Sequence, residues 1–345
     1  MVSQFEVWTD YFGSDYSSLF IGLFVGCLFG FGAQQSRFCL RSAVIEFWRH
    51  LKGKRVLIWL IAFSMSFFLS QLFIFHDQID LSKVKNLNIH GSLSGALIGG
   101  ALFGIGMILA RGCASRLLVL SATGNLRALI SFTIIAFVAY QTISGILSNL
   151  RSSVTGLYSI SPSERQISFY LPDFFGMMVG AILLILVLIL AFRFRLSFYN
   201  FLNASLVGIS IVAGWTLTSL HASTSFDIIS VETLSFIGPG VQSLKNLTLM
   251  IPFKPGFEIG MMGGVFAGAF LGSFLSSEFK FVFFTKESGV LRYFVGSILM
   301  GFGGVLAIGC SVGAGLSGVS ILSVTALASL VMMILFAGLT DRVVN

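Results

Sequence analysis

Charge is what this sequence has least of. Only 10% of its 345 residues are Asp, Glu, Lys or Arg, against roughly 25% in an ordinary soluble domain. A chain so poor in charge cannot cover a surface facing water, so a soluble globular fold is excluded and lipid is the main solvent. Cysteine is scarce and unpaired: Cys27, Cys39, Cys113 and Cys310 form no CxxC. That argues against a structural zinc site or a redox dithiol of the common spacing. The four histidines, His50, His76, His90 and His221, have no metal-ligand spacing and fall near the ends of apolar runs. There is no Walker motif, no CxxCH and no carboxylate pair within an apolar run. ATP coupling, haem and a carboxylate proton relay therefore have no support, and no catalytic residue, metal or cofactor is expected. Met1 to Asp15 carries Glu6, Asp10 and Asp15 and no base. That is the opposite of a signal peptide's basic start, so the first apolar run is expected to stay in the membrane.

What is present is apolar length. The composition is 56% hydrophobic and the mean hydropathy is +0.94. A span needs about 20 mostly apolar residues. Nine stretches qualify, near 17–36, 56–75, 92–110, 128–148, 174–192, 199–219, 258–275, 291–307 and 321–339. Four shorter segments, near 39–50, 114–123, 240–250 and 311–319, cannot cross as helices. They read as membrane-inserted half-helices, which survive at depth only when buried in protein or lining a wet cavity. The expectation is an all-α polytopic membrane protein with nine transmembrane helices and four short inserted ones.

The net charge of +7 lies in short loops, where basic residues record orientation rather than nucleic-acid binding. With the N-terminus outside, 15 of the 21 Lys and Arg residues fall inside and 6 outside. Setting aside Arg37, Arg41, Arg111 and Arg116 still leaves 11 to 6. The expected topology is N-out and C-in.

The chain also repeats itself. Residues 104–113 read GIGMILARGC and residues 301–310 read GFGGVLAIGC, matching at six of ten positions without a gap, at an offset of 197. Five spans separate the copies, so they should run in opposite directions. The expected architecture is one integral membrane domain over 1–345. Its inverted pseudo-repeats cover about 17–150 and 199–340, joined by a linker helix near 174–192.

Three cysteines share a setting. Cys39 ends GFGAQQSRFC, Cys113 ends GIGMILARGC and Cys310 ends GFGGVLAIGC. Each follows a Gly-rich helix end, where glycine permits left-handed backbone angles, and precedes a short segment. A cysteine there sits near a helix start, with free N–H groups and partial positive charge, which suits an anion. A neutral thiol is a weak, soft donor, able to contact a polarisable sulfur without holding it. Transit needs binding that is favourable yet reversible. A thiolate would repel a dianion such as thiosulfate, so the serviceable form is S–H. Gly112 and Gly309 immediately precede two of these cysteines and belong to the same candidate site. Arg37 and Arg111, two residues before Cys39 and Cys113, either attract the anion or mark topology. Ile308 stands in that place before Cys310, so the two halves differ chemically. A lone buried cysteine is usually a small hydrophobe, and that reading is kept for Cys27, mid-span in VGCLFG. Gly238-Pro239-Gly240, before a short segment of the second half, reads as a cysteine-free counterpart of the Cys39 loop. Trp215 reads as packing.

The segments QQSRFCLRSA, GIGMILARGCASRLL and GFGGVLAIGCSVGAGLSG resemble those of the YeeE/YedE sulfur-transport family, over about residues 18–338. The resemblance implies a bacterial inner-membrane importer of thiosulfate or a related sulfur species. It implies nine spans with short inserted helices and makes Cys39, Cys113 and Cys310 the substrate cysteines. It also implies a cytoplasmic TusA-like sulfur-carrier protein as partner, and it leaves selenium compounds open as substrate. The competing readings are a membrane thiol-disulfide oxidoreductase, which needs two cysteines with Cα atoms within about 7 Å, and a non-catalytic assembly subunit.

Overall fold

In the computed structural model, residues 13–51, 53–84, 91–161, 173–225, 229–248, 255–284 and 289–344 are described. The acidic residues Glu6 and Asp10, the histidine His90 and the basic residues Lys52, Lys85, Arg165, Lys254 and Lys286 lie outside them. The described residues are almost entirely helical. In chain order the helices are α1 (Ser14–Gln35), α2 (Leu40–Trp48), α3 (Lys54–Phe75), α4 (Leu93–Leu109), α5 (Ala114–Ala122), α6 (Leu126–Ser144) and α7 (Ser148–Thr155). There follow α8 (Asp173–Arg193), α9 (Phe198–Thr224), α10 (Ile237–Thr248), α11 (Phe257–Leu275), α12 (Val290–Leu306) and α13 (Val324–Val344). A π-helical turn spans Gly313–Gly318. Gly91–Ser92 and Ser159–Ile160 pair as a two-residue antiparallel ribbon.

Each of the nine expected apolar stretches folds as a helix. Among the described residues, eight runs are long and apolar enough to cross a membrane, two of them including the short helices α2 and α5. The ninth, α12, has 17 residues, about 26 Å of helix at 1.5 Å per residue, and falls short of a roughly 30 Å hydrocarbon core. Three of the four expected short segments form α2, α5 and α10. The fourth is the π-helical turn. Gly238, Pro239 and Gly240 lie inside the first turn of α10 rather than ahead of it. Proline suits that turn because its missing N–H has no helical acceptor there. The polar α7, SNLRSSVT, has no buried residue and no counterpart among the expected segments.

Glycine sets how the long helices meet. In α1, a Cβ at Gly22, Gly26 or Gly30 would run into the backbone of α11 at Phe257, Met261 or Val265 in turn. In α11, a Cβ at Gly260, Gly264 or Gly268 would meet α1 at Leu19, Leu23 or Cys27. Contacts that advance together along both chains mean the two helices run parallel, in the close packing that small residues every fourth position allow. Helices α4 and α12 cross the other way. A Cβ at Gly99 would stand 2.6 Å from the Gly303 carbonyl oxygen, and one at Gly106 would stand 2.6 Å from that of Gly296.

Side-chain caps hold the starts of α4 and α6. Ser92 accepts the Gly95 N–H at 2.8 Å and Asn125 accepts the Ala128 N–H at 3.2 Å. The buried Glu46 accepts the N–H groups of Arg55 and Val56 at 2.5 and 3.0 Å, which fixes α2 to the start of α3. At the far end of the chain Arg49 grips the buried Asp341 with two hydrogen bonds, 2.7 and 2.9 Å. The Arg342 guanidinium lies 4.8 Å from the Trp48 ring centroid. Helix α2 is thereby pinned to α13.

Candidate functional site

The three cysteine segments share one backbone device. Helices α1, α4 and α12 end in the same pair of reversed hydrogen bonds. The first runs from Phe38 N–H to the Ala33 carbonyl, from Gly112 to Met107, and from Gly309 to Gly304. The second runs from Arg37 to Gln34, from Arg111 to Ile108, and from Ile308 to Val305. This is the Schellman arrangement. Its left-handed position falls on Arg37 (φ 53°), Arg111 (φ 56°) and Ile308 (φ 56°), not on the glycines to which the sequence assigned it. A non-glycine residue there costs about 1–2 kcal/mol. Gly309 serves a different need: a Cβ on it would stand 2.7 Å from the Ala314 nitrogen. The cysteine is the next residue after each cap.

Cys39 and Cys113 are thereby the N-cap residues of α2 and α5. Both are buried, as is Cys310, and all the cysteines are free thiols. Cys39 Sγ and Cys113 Sγ lie 4.0 Å apart. Cys113 Sγ is also 3.3 Å from the Ser115 hydroxyl. Cys310 Sγ accepts the Gly313 N–H at 3.4 Å, within the turn that follows it. The hydroxyl of Ser311, the neighbour of Cys310, is buried and has no hydrogen-bond partner among the described residues. Cys27 lies in the α1 interface with α11 and joins none of these.

Two cavities lie at opposite ends of the same helices. The larger, about 530 Å³, takes in Gly309 and Gly313, the residues around Cys310, together with Trp215, Gly238, Pro239, Lys245 and Glu258. The other, about 410 Å³, takes in Gln34, Arg37, Ser42, Arg55, Arg116, Glu278 and Lys280. Glu258 is in the first turn of α11, whereas Glu278 and Lys280 follow its last turn. Asn125, the N-cap of α6, borders the second cavity and Ile143, near its C-terminus, the first. The cysteine segments stand between the two spaces.

Of the sequence candidates, Arg37 borders the smaller cavity, where it pairs with Glu278 at 2.7 Å. Arg111 borders neither. Its guanidinium lies 5.9 Å from the Tyr293 ring centroid. Gly309 borders the larger cavity, and Gly112 packs against Leu117. Trp215, read as packing, is buried and also borders the larger cavity.

Sequence reasoning missed Gln34, Arg116 and Glu278. Gln34 donates to Glu278 at 3.0 Å, and Arg116 donates to Gln34 Oε1 at 3.2 Å and to the Ala33 carbonyl at 3.3 Å. One local signal could have found Arg116. It stands in the first turn of α5, where a cation opposes the helix dipole and so needs another reason to be there. Arg41 has the same placement in α2. Among the described residues, no group of three or more His, Cys, Asp or Glu gathers that could hold a metal.

Helical runs of membrane-crossing length, broken at buried thiols, mark a multi-pass membrane protein. A model of the family described as "Sulphur transport" matches residues 35–339, and the chain belongs to that family, the YeeE/YedE sulphur-transport proteins. It is 29% identical over 337 residues to "Thiosulfate transporter TsuA" of Spirochaeta thermophila, covering 92% of this chain and 96% of that one.

Proposed function

We propose that the protein imports a small sulfur-containing anion, foremost thiosulfate, across a bacterial inner membrane, passing it along Cys310, Cys113 and Cys39. The observation that carries this reading is the place of the three thiols. Each follows a Schellman cap, two start helices, and the segments of Cys310 and Cys39 border the larger and the smaller cavity. A soft terminal sulfur can move between neutral thiols while its negative charge is met by helix N-termini. The named relative transports thiosulfate by its printed name, which favours that anion over selenium compounds.

The proposed architecture has nine spans, α12 included, with four spans, a linker α8 and four spans related by an inverted repeat. Two exchanges support it. Gly99 and Gly106 correspond to Gly296 and Gly303 at the 197-residue offset, and Gly99 meets Gly303 while Gly106 meets Gly296. Such swapped contacts are what a two-fold axis produces. The packing of α1 on α11 is likewise answered by that of α9 on α3, and α4 on α13 by α12 on α6. The basic cavity, with Arg37, Arg55, Arg116 and Lys280, would face the cytoplasm by the positive-inside rule. A TusA-like sulfur carrier would collect the product there.

A second reading, thiol-disulfide exchange, is favoured by one observation, the 4.0 Å separation of the Cys39 and Cys113 sulfurs. The deciding experiment is uptake of labelled thiosulfate, sulfate and selenite into a transport-null bacterium. Thiosulfate should accumulate and sulfate should not. No uptake of any sulfur anion, with the protein folded in the membrane, would overturn the transport reading.

A further inference from the structure

The basic cavity has a charge imbalance that the thiols do not use. Among the described residues it is bordered by four basic side chains, Arg37, Arg55, Arg116 and Lys280, and one carboxylate, Glu278. That carboxylate is already engaged by Arg37 and Gln34. Arg116 is the cation set deepest. It stands three residues past Cys113, in the first turn of α5, and its Nη1 donates only to neutral oxygens, those of Ala33 and Gln34. Its remaining guanidinium nitrogens donate to no group among the described residues. A guanidinium is a planar fork with five N–H donors, matched to two oxygens of one anion. The larger cavity differs: Arg151 and Lys245 are balanced there by Glu232 and Glu258.

We propose that Arg116 makes the basic cavity an oxyanion site, holding the oxygen-bearing end of the transported sulfur anion after the thiols have passed its soft end. The proposal rests on the transport reading above, but it concerns a different contact and can fail separately. Thiosulfate carries both a polarisable terminal sulfur and a sulfonate-like head. The thiol pair meets the first, and Arg116, beside Cys39 and Cys113, meets the second. The charge of Arg37 is offset by its pairing with Glu278. The site would draw a dianion out of the thiol passage toward the basic side. Salt would weaken it, since the cavity opens to solvent.

Sulfate is the suitable probe, because it has the oxygen head and no soft terminal sulfur. Calorimetry on the purified full chain at low ionic strength should show sulfate binding. Arg116→Gln should weaken it about tenfold or more, the usual scale for losing hydrogen bonds to a charged group. Arg292→Gln, outside the cavity, should leave it unchanged. Wild-type affinity in folded Arg116→Gln, or no sulfate binding by the wild type, would overturn the proposal. Should Arg116→Gln not fold, methylglyoxal labelling of the wild type decides. Sulfate should protect Arg116 but not Arg292, and equal labelling with and without sulfate overturns the site. Thiosulfate uptake without Arg116-dependent sulfate binding defeats this proposal alone. Arg116-dependent binding without uptake defeats only the transport reading.

Discussion

Cys39 and Cys113, 74 positions apart in the chain, hold their sulfur atoms 4.0 Å apart in the buried centre of the protein. Two separate helix starts bring them there, each set by a Schellman turn ending the helix before it. A sulfur on a passing anion can touch both thiols at once. The arrangement is also one short step from a disulfide, which needs the sulfurs at about 2.05 Å.

Mild oxidation should therefore act as a reversible block. Copper phenanthroline should join Cys39 to Cys113 in the membrane, seen as one linked peptide pair under non-reducing mass spectrometry. Thiosulfate uptake should stop and return with dithiothreitol. Recovery of a Cys113–Cys310 pair in its place would contradict the geometry, since the sulfurs in contact are those of Cys39 and Cys113.

Glycine replacement separates helix packing from helix propensity. A Cβ at Gly26 would strike the backbone of Met261, whereas at Gly263 nothing lies within 4 Å. Gly26→Ala should destabilise by about 1–3 kcal/mol, the scale of overpacking, and lower the yield of folded protein. Gly263→Ala should be neutral or slightly stabilising, by up to about 1 kcal/mol. Melting of the two purified variants checks this, and equal stability would remove the close-packing account of α1 and α11.

The arginines before the cysteines should matter unequally. Arg37→Gln removes the cation paired with Glu278 and leaves its charge to repel an anion in the basic cavity, so uptake should fall several-fold. The double variant Arg37→Gln with Glu278→Gln should recover part of it. Arg111 lies against Tyr293, away from both cavities, and Arg111→Gln should lower uptake less than Arg37→Gln. Complete inactivity of well-folded Arg111→Gln would mean that charge at that cap is used in a way the geometry does not include.

The long helices and the two helix breaks at Cys39 and Cys113 are legible in the sequence for simple reasons. Apolar length marks a span, and a Gly-rich end before a short polar-edged segment marks a break. The left-handed residue is not legible, because glycine is the usual occupant of that position, while here Arg37, Arg111 and Ile308 take it. The Cys310 segment reads like the other two yet winds as a π-helical turn. The thiol contact and the Gln34, Arg116 and Glu278 group were not legible, because they join segments 74 to 244 positions apart. One sequence carries no sign of such pairings beyond the odd placing of Arg116.

The central claim is that the anion passes the thiols, and the direct measurement is thiosulfate uptake by Cys27→Ala, Cys39→Ala, Cys113→Ala and Cys310→Ala at matched membrane levels. Cys27 sits in a helix interface outside the passage, so its variant should transport at near wild-type rates. The variants at Cys113 and Cys310 should lose most or all uptake, because alanine keeps the fold and removes the soft donor. Cys113→Ser and Cys310→Ser should be strongly impaired as well, since a hydroxyl keeps the hydrogen bond but not the softness. Normal uptake by Cys113→Ala and Cys310→Ala would contradict the thiol passage outright.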